Sequence, residues 1–360
     1  MGAHTNRERP LAGKVVLVAG ATRGAGRGIA LGFGELGATV WCTGRSVAGK
    51  TPPGRPETIE ETAALVTAAG GEGRWARVDH TDVAQVEALC ERIAGESGHL
   101  DVLVNDIWGG DALTGWGTPF WQHDLADGLR LLDLAVRTHL VTARFAVPLL
   151  VDRPGALVVE ITDGVGDHYR GSLYYDLAKA STIRLAFAMA EELRPRGISA
   201  VAVTPGFLRS EAVLEHFGVT AEGWRDAIAK DPHFAASESP RFVGRGIAAF
   251  AADPEKMELS GTVRSSGMLG ARYGLIDVDG RRPNFGDYSR GVVVDGLRAA
   301  LAEGRLDLSS PEGFVASVGE LAAPFVGQVS VPLLGRLRGL PRPLADEALV
   351  AAVAATVRVG

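Results

Sequence analysis

The chain has 360 residues, of which 46% are hydrophobic and 22% charged, an ordinary globular composition with ample material for a core. A formal net charge of −6 offers no long-range attraction to phosphate backbones or anionic lipid, so nucleic acid and membrane surfaces are not expected partners. The two cysteines, Cys42 and Cys90, sit in apolar segments and can build neither a disulfide framework nor a CxxC metal site.

In chain order, "MGAHTNRERPLAGK" is polar and lacks the apolar run of a signal peptide, which points to the cytoplasm. Short β-branched runs then alternate with longer helical patterns: "VVLVAG" (15–20), "TVWCTG" (39–44), "WARVDH" (75–80), "DVLVND" (101–106), "ALVVEIT" (156–162), "SAVAVTP" (199–205) and "GTVRSSG" (261–267). These runs are nearly continuous in apolar character, as parallel strands covered on both faces should be. The pattern predicts an α/β fold, a Rossmann-type doubly wound parallel sheet of about seven strands, over residues 1–272 with a substrate loop at 207–240. Residues 273–360 are expected to form a mostly helical C-terminal extension, with helices near "GVVVDGLRAALAEG", "PEGFVASVGELAAP" and "PLADEALVAAVAATV". The apolar stretch Phe314 to Gly335 is broken by Glu320, Pro324 and Pro332, against a membrane span. "DVDG" (277–280) lacks the glycine spacing and closing glutamate of a calcium loop and reads as a turn.

The strongest local signal is "VVLVAGATRGAGRGIA", in which Gly20, Gly24 and Gly26 follow a strand and open a helix, with Thr22 and Arg23 inside the loop. Such glycines let backbone N–H groups approach a pyrophosphate at a helix N-terminus. The second strand ends "WCTGRS" with no carboxylate to hold a free ribose 2′-hydroxyl. Arg45 and Arg23 could instead hold a 2′-phosphate, which favours NADP(H); the other reading makes both arginines solvated loop residues. Asp79 and His80, ending the third strand, are placed to flank an adenine, or Asp79 simply ends the strand.

In "SLYYDLAK", residues four apart share a helical face, so Tyr175 faces Lys179 and Tyr174 does not. An ammonium beside a phenol favours the phenolate and would bring it toward acid/base use near neutrality. A surface Tyr/Lys pair is the plain alternative. The eight histidines show no HExxH or other ligand spacing, so no metal is expected, and no G-x-S-x-G elbow suggests a hydrolase.

The glycine loop, "VLVND", "YDLAK" and "TPGFLRSE", in that order and spacing, resemble the short-chain dehydrogenase/reductase superfamily over about residues 12–268. "LSGTVRSSGMLGARYGLIDVDGRRP" further resembles the dehydrogenase/reductase member 1 group within it. The resemblance implies that Gly20, Gly24 and Gly26 hold the pyrophosphate and Asp79 the adenine, and that Asn105, from "VNDIWGG" where the family shows "NNAG", braces the central strands. It makes Tyr175 the general acid/base and Lys179 the residue that tunes it and holds the ribose. Thr162 stands where the family places a serine thirteen residues before the tyrosine. Pro205 and Gly206 match the "PG" after the sixth strand, and Ser210 falls where a threonine contacts the nicotinamide amide. Asp133 falls where the family carries a relay asparagine; it is either a relay residue or a plain helix residue.

Aromatic residues gather after the fourth strand (Trp108, Trp116, Phe120, Trp121) and after the sixth (Phe207, Phe217, Trp224, with Leu208 and Leu214). They either line an apolar substrate site with His168, Tyr169 and Arg170, or pack loops and a subunit interface. The expected function is NADP(H)-dependent interconversion of a carbonyl and an alcohol on a hydrophobic small molecule, by a homo-oligomer (dimer or tetramer). The rival is a non-catalytic NADP(H) sensor or scaffold that keeps the fold.

Overall fold

The computed structural model describes residues 9–165 and 169–307, with six further positions between 313 and 321. Seven parallel strands, β1 (Val15–Ala19), β2 (Thr39–Gly44), β3 (Glu72–Arg77), β4 (Val102–Asn105), β5 (Leu157–Ile161), β6 (Ser199–Thr204) and β7 (Val263–Ser265), form one sheet in the order β3-β2-β1-β4-β5-β6-β7. The order reverses between β1 and β4, which opens a crevice at the carboxyl ends of the strands.

Period-two alternation divides the core. Val16, Val18, Val40 and Val104 face α1 (Gly24–Glu35), α2 (Ile59–Ala69), α8 (Pro240–Ala252) and α9 (Ser266–Tyr273). Val15, Leu17, Trp41 and Leu103 face α3 (Val83–Ser97), α5 (Thr138–Ala146) and α6 (Leu173–Leu193). Each fully buried Val, Leu, Ile or Phe contributes about 1.5–3 kcal/mol. Helix ends follow capping chemistry: Asp82 accepts from the Ala84 and Gln85 N–H groups at the start of α3, and left-handed Gly98 closes it.

Helix α4 (Leu125–Leu132) runs into α5 through a π-helical turn, Asp133–Arg137. The remaining helices are α7 (Glu211–Phe217), after β6, and α10 (Phe285–Ala302). Between α9 and α10 the chain folds back on the loop after β6. There Arg209 donates to Asp277 and Asp279 at 3.0 Å each, and the Ser239 N–H and hydroxyl donate to Asp277. The "DVDG" turn thus carries a buried ion pair.

Two expectations are corrected here. The third strand lies at 72–77, three residues earlier than the apolar run suggested, and it is largely uncovered. As an edge strand it needs apolar cover on one side only, so its first half is polar. The helix expected near 291–304 begins earlier, where Asn284 caps α10 by accepting from the Asp287 N–H. The helices expected at 311–324 and 343–357, and His168, lie largely or wholly outside the described residues.

Candidate active site

A cleft of about 970 Å³ opens at the carboxyl ends of the strands, bounded by the glycine loop, β2, β4, β5 and the α7 region, within the range of small-molecule and cofactor sites. Gly20 has φ +95, and a side-chain carbon there would meet the Asp106 carbonyl at 2.3 Å. One at Gly26 would meet the Gly20 carbonyl at 2.3 Å. Only glycine lets the loop turn this tightly beneath a diphosphate. The Gly24 N–H, at the start of α1, donates to the Glu211 carboxylate at 2.8 Å; an anionic oxygen already accepts from the loop, as the fit of a pyrophosphate requires.

At the far end of the cleft Thr22, Arg23, Arg45, Ser46, Lys50, Arg77 and Asp79 form the wall. Arg23 pairs with Glu57 at 3.4 Å and lies 3.5 Å from the Ser46 hydroxyl. The Asp79 carboxylate accepts from the Thr81 N–H and hydroxyl; burial would raise it, but these bonds hold it below its ordinary value. Lys50 and Arg77 escaped sequence reading because neither falls in a motif. Arg77 enters through the register of β3 beside Gly44.

His80 reaches the cleft wall, but its ring turns inward and bridges the Thr43 and Thr142 hydroxyls at 2.9 and 2.8 Å. Burial, then the charge of His139, lowers its pKa to about 3, so the ring is a neutral internal tie. Asn105 is not among the residues lining the cleft; its amide donates to Glu160 at 2.7 Å and braces β4 against β5. Pro205, Gly206 and Ser210 line the cleft, with the Ser210 hydroxyl capping α7 through the Val213 N–H.

The chemistry gathers around α6. Tyr175 and Lys179 both face the cleft, whereas Tyr174 packs against His123 and α4. The Tyr175 ring lies between Trp108 and Trp116, with centroids 5.5 and 5.0 Å away. Lys179 is half-buried at the cleft wall, its ammonium 4.2 Å from the Trp108 ring centroid. Burial lowers the Lys179 pKa despite the nearby Asp163, Asp106 and Asp111.

The Tyr175 hydroxyl donates to Asp163 at 2.9 Å. Burial first, and then Asp163, push the phenol well above its ordinary value. The depression expected from Lys179 is therefore overridden, first by burial and then by the Asp163 carboxylate, which the helical spacing of Tyr175 and Lys179 does not reveal. The Thr162 hydroxyl, at the cleft wall, donates to the Lys179 carbonyl at 2.8 Å. Its oxygen faces a hydrogen-bond role only as an acceptor while that bond holds.

Asp133 is corrected. It pairs with Arg130 and Arg137 on the outer surface at 2.7 and 3.4 Å and is not among the residues lining the cleft. The π turn carries the next residues inward instead. Thr138 lines the cleft, and the His139 ring joins Glu160 at 2.5 Å and the Ile107 carbonyl at 3.1 Å. Burial alone would lower the His139 pKa, but Glu160 raises it. Asp106, which stands at the second asparagine of "NNAG", lies half-buried at the cleft wall and accepts from the Gly26 N–H, and desolvation raises its pKa to about 7.

Of the aromatics, Trp108 and Phe207 line the cleft with Leu208, and Phe285 of α10 joins them. Phe217, Trp224 and Leu214 instead form a small core with Phe234. Phe120 and Trp121 are exposed. Arg170 is buried and pairs with Asp176 at 2.8 Å. Among the described residues no three His, Cys, Asp or Glu side chains lie together as a metal site, and no helix is long and apolar enough to cross a membrane. Both cysteines are buried, with thiols pushed up to about 12 by desolvation.

The family model described as short chain dehydrogenase matches residues 14–217. "Dehydrogenase/reductase SDR family member 1" of Mus musculus is 34% identical over 277 residues, covering 76% of this chain and 85% of that protein. The Homo sapiens protein of the same name is 33% identical over the same shares. Among solved structures, a dehydrogenase/reductase from Sinorhizobium meliloti 1021 is 25% identical with a TM-score of 0.57, covering 71% of this chain and 94% of that one.

Proposed function

The chain belongs to the short-chain dehydrogenase/reductase family of oxidoreductases, which use nicotinamide cofactors, and on that premise we propose that it interconverts a carbonyl and an alcohol on a hydrophobic small molecule with NADP(H). The observation that carries this reading is the shared cleft: the Tyr175 phenol and Lys179 stand in one cavity with the glycine loop. When bound, the cofactor supplies or accepts a hydride.

The protein's own residues do the rest. Gly20, Gly24 and Gly26 cradle the diphosphate, with Glu211 yielding the Gly24 N–H. Arg23, Arg45, Lys50 and Arg77 give the adenosine end a positive wall suited to a 2′-phosphate. Tyr175 gives its proton to the carbonyl oxygen, an acid step worth about 10²–10⁴-fold. Lys179 holds the ribose and balances the charge of the neighbouring carboxylates. Trp108, Phe207, Leu208 and Phe285 exclude water and favour an apolar substrate.

Exposed Leu125, Leu129, Leu140, Leu177 and Phe187 on α4, α5 and α6 support a homo-oligomer, measurable by sedimentation. A panel of hydrophobic ketones with NADPH tests the reading. Ketone-dependent NADPH oxidation supports it; tight NADPH binding without turnover on any ketone would favour the sensor.

A further inference from the structure

The Tyr175 hydroxyl is held by a carboxylate that the chemistry above does not use. Asp163 directly follows β5 and Thr162, and its Oδ2 accepts the phenol proton at 2.9 Å. Its position is fixed from both sides. Arg170 Nε donates to the Asp163 carbonyl at 2.6 Å, and the next N–H, of Gly164, donates to the Thr204 hydroxyl at 2.9 Å. Arg170 is itself buried against Asp176 of α6. The hydrogen bond to Tyr175 thus belongs to an ordered turn joined to β6 and α6.

We propose that Asp163 is a positioning residue that retains the proton on Tyr175, so that the site presents a proton donor across the neutral range and forms the phenolate only in alkaline solution. The inference rests on the oxidoreductase reading for its meaning but not for its measurement. Among the described residues, Asp163 after β5, Arg170 from the following loop and Asp111 from the β4 side act on the phenol, while Asp106 from the β4 side and His139 from α5 face Lys179 of α6. Of these, only Asp163 is hydrogen-bonded to the phenol oxygen. A phenolate would face this carboxylate at contact distance, and like charges so close disfavour ionisation. Carbonyl reduction needs the phenol intact until the substrate oxygen takes its proton. Alcohol oxidation needs the phenolate first, so the reductive rate should fall and the oxidative rate rise through one shared alkaline break.

The test is a titration of the cofactor-free protein, following phenolate absorbance. The chain has five tyrosines, and subtracting the titration of Tyr175→Phe isolates the one in the site. Wild type is expected to show no Tyr175 phenolate at neutral or mildly alkaline pH. In Asp163→Asn the break should fall by about one unit or more, giving about tenfold more phenolate at a given pH. Asp163→Glu should restore a high break. With NADPH and a ketone that turns over, the alkaline fall of kcat/KM should move by the same interval. A folded Asp163→Asn protein whose Tyr175 break is unmoved overturns the proposal; Asp163→Ser provides the same comparison should the asparagine variant not fold. Absence of turnover in wild type would count against the oxidoreductase reading alone, because the absorbance titration still reads Asp163.

Discussion

Replacing Arg209 with methionine should loosen the loop that carries Phe207 and Leu208 while leaving the sheet intact. The Arg209 side chain is 5% exposed and lies between Asp277, whose side chain is fully buried, and Asp279, at 3.0 Å from each. Its guanidinium also lies 4.2 Å from the Trp224 ring centroid, with Arg281 4.5 Å from the same ring. Removing one partner of a buried pair costs about 3–5 kcal/mol. Asp277 keeps the N–H groups of Ser239 and Val278 and the Ser239 hydroxyl, which sets the loss at the low end, about 3 kcal/mol. The lost cation–π contact adds about 1 kcal/mol. The roughly 300 described residues give an unfolding entropy near 0.6 kcal/mol/K, so about 4 kcal/mol corresponds to about 6 °C in Tm. Circular-dichroism melts of Arg209→Met, Asp277→Asn and the double variant measure this. The double variant should recover part of the loss, since it strands no charge. A single variant melting within about 1 °C of wild type, with no coupling in the cycle, would refute the buried-pair argument.

Asp133→Asn breaks only two partly exposed ion pairs, so stability should change by less than about 1 kcal/mol and kcat should be unaltered; a large fall in kcat would restore a relay role. Arg45→Glu should weaken NADPH binding about tenfold or more while sparing NADH, as measured by fluorescence titration, because a charge-assisted bond is worth about 1.5–3 kcal/mol. Glu238 is buried beneath Ser266, and burial raises its pKa to about 8. The contribution of a carboxyl raised in the folded state is present below its ordinary value and lost as pH rises through the folded value. Wild-type Tm should therefore decline as pH rises from the ordinary carboxylate range to about 8 and level off above it, and Glu238→Gln should flatten that decline.

Much of this molecule is written locally. β1, β2 and β4–β6 are covered on both faces, so their apolar runs mark them, and the glycines of the first turn follow from backbone crowding alone. Edge strand β3 carries no such run along its first half and is displaced accordingly. Helical spacing separates Tyr175 from Tyr174 because the two lie on one regular helix. The same counting fails at Asp133, where a π turn shifts the helical phase and brings Thr138 and His139 inward. Asp163, Asp106 and Asp111 meet Lys179 only after three separate segments converge, and no spacing in one chain encodes that meeting. The Arg209–Asp277 pair joins residues 68 positions apart, so "DVDG" shows its turn in sequence but not its partner.

The most direct measurement is steady-state NADPH oxidation by Tyr175→Phe beside wild type, on a hydrophobic ketone that wild type reduces, with NADPH affinity determined for both. The account predicts a loss of kcat of about 10²-fold or more, with cofactor affinity retained. A variant that turns over at the wild-type rate would contradict the assignment of Tyr175 as the proton donor.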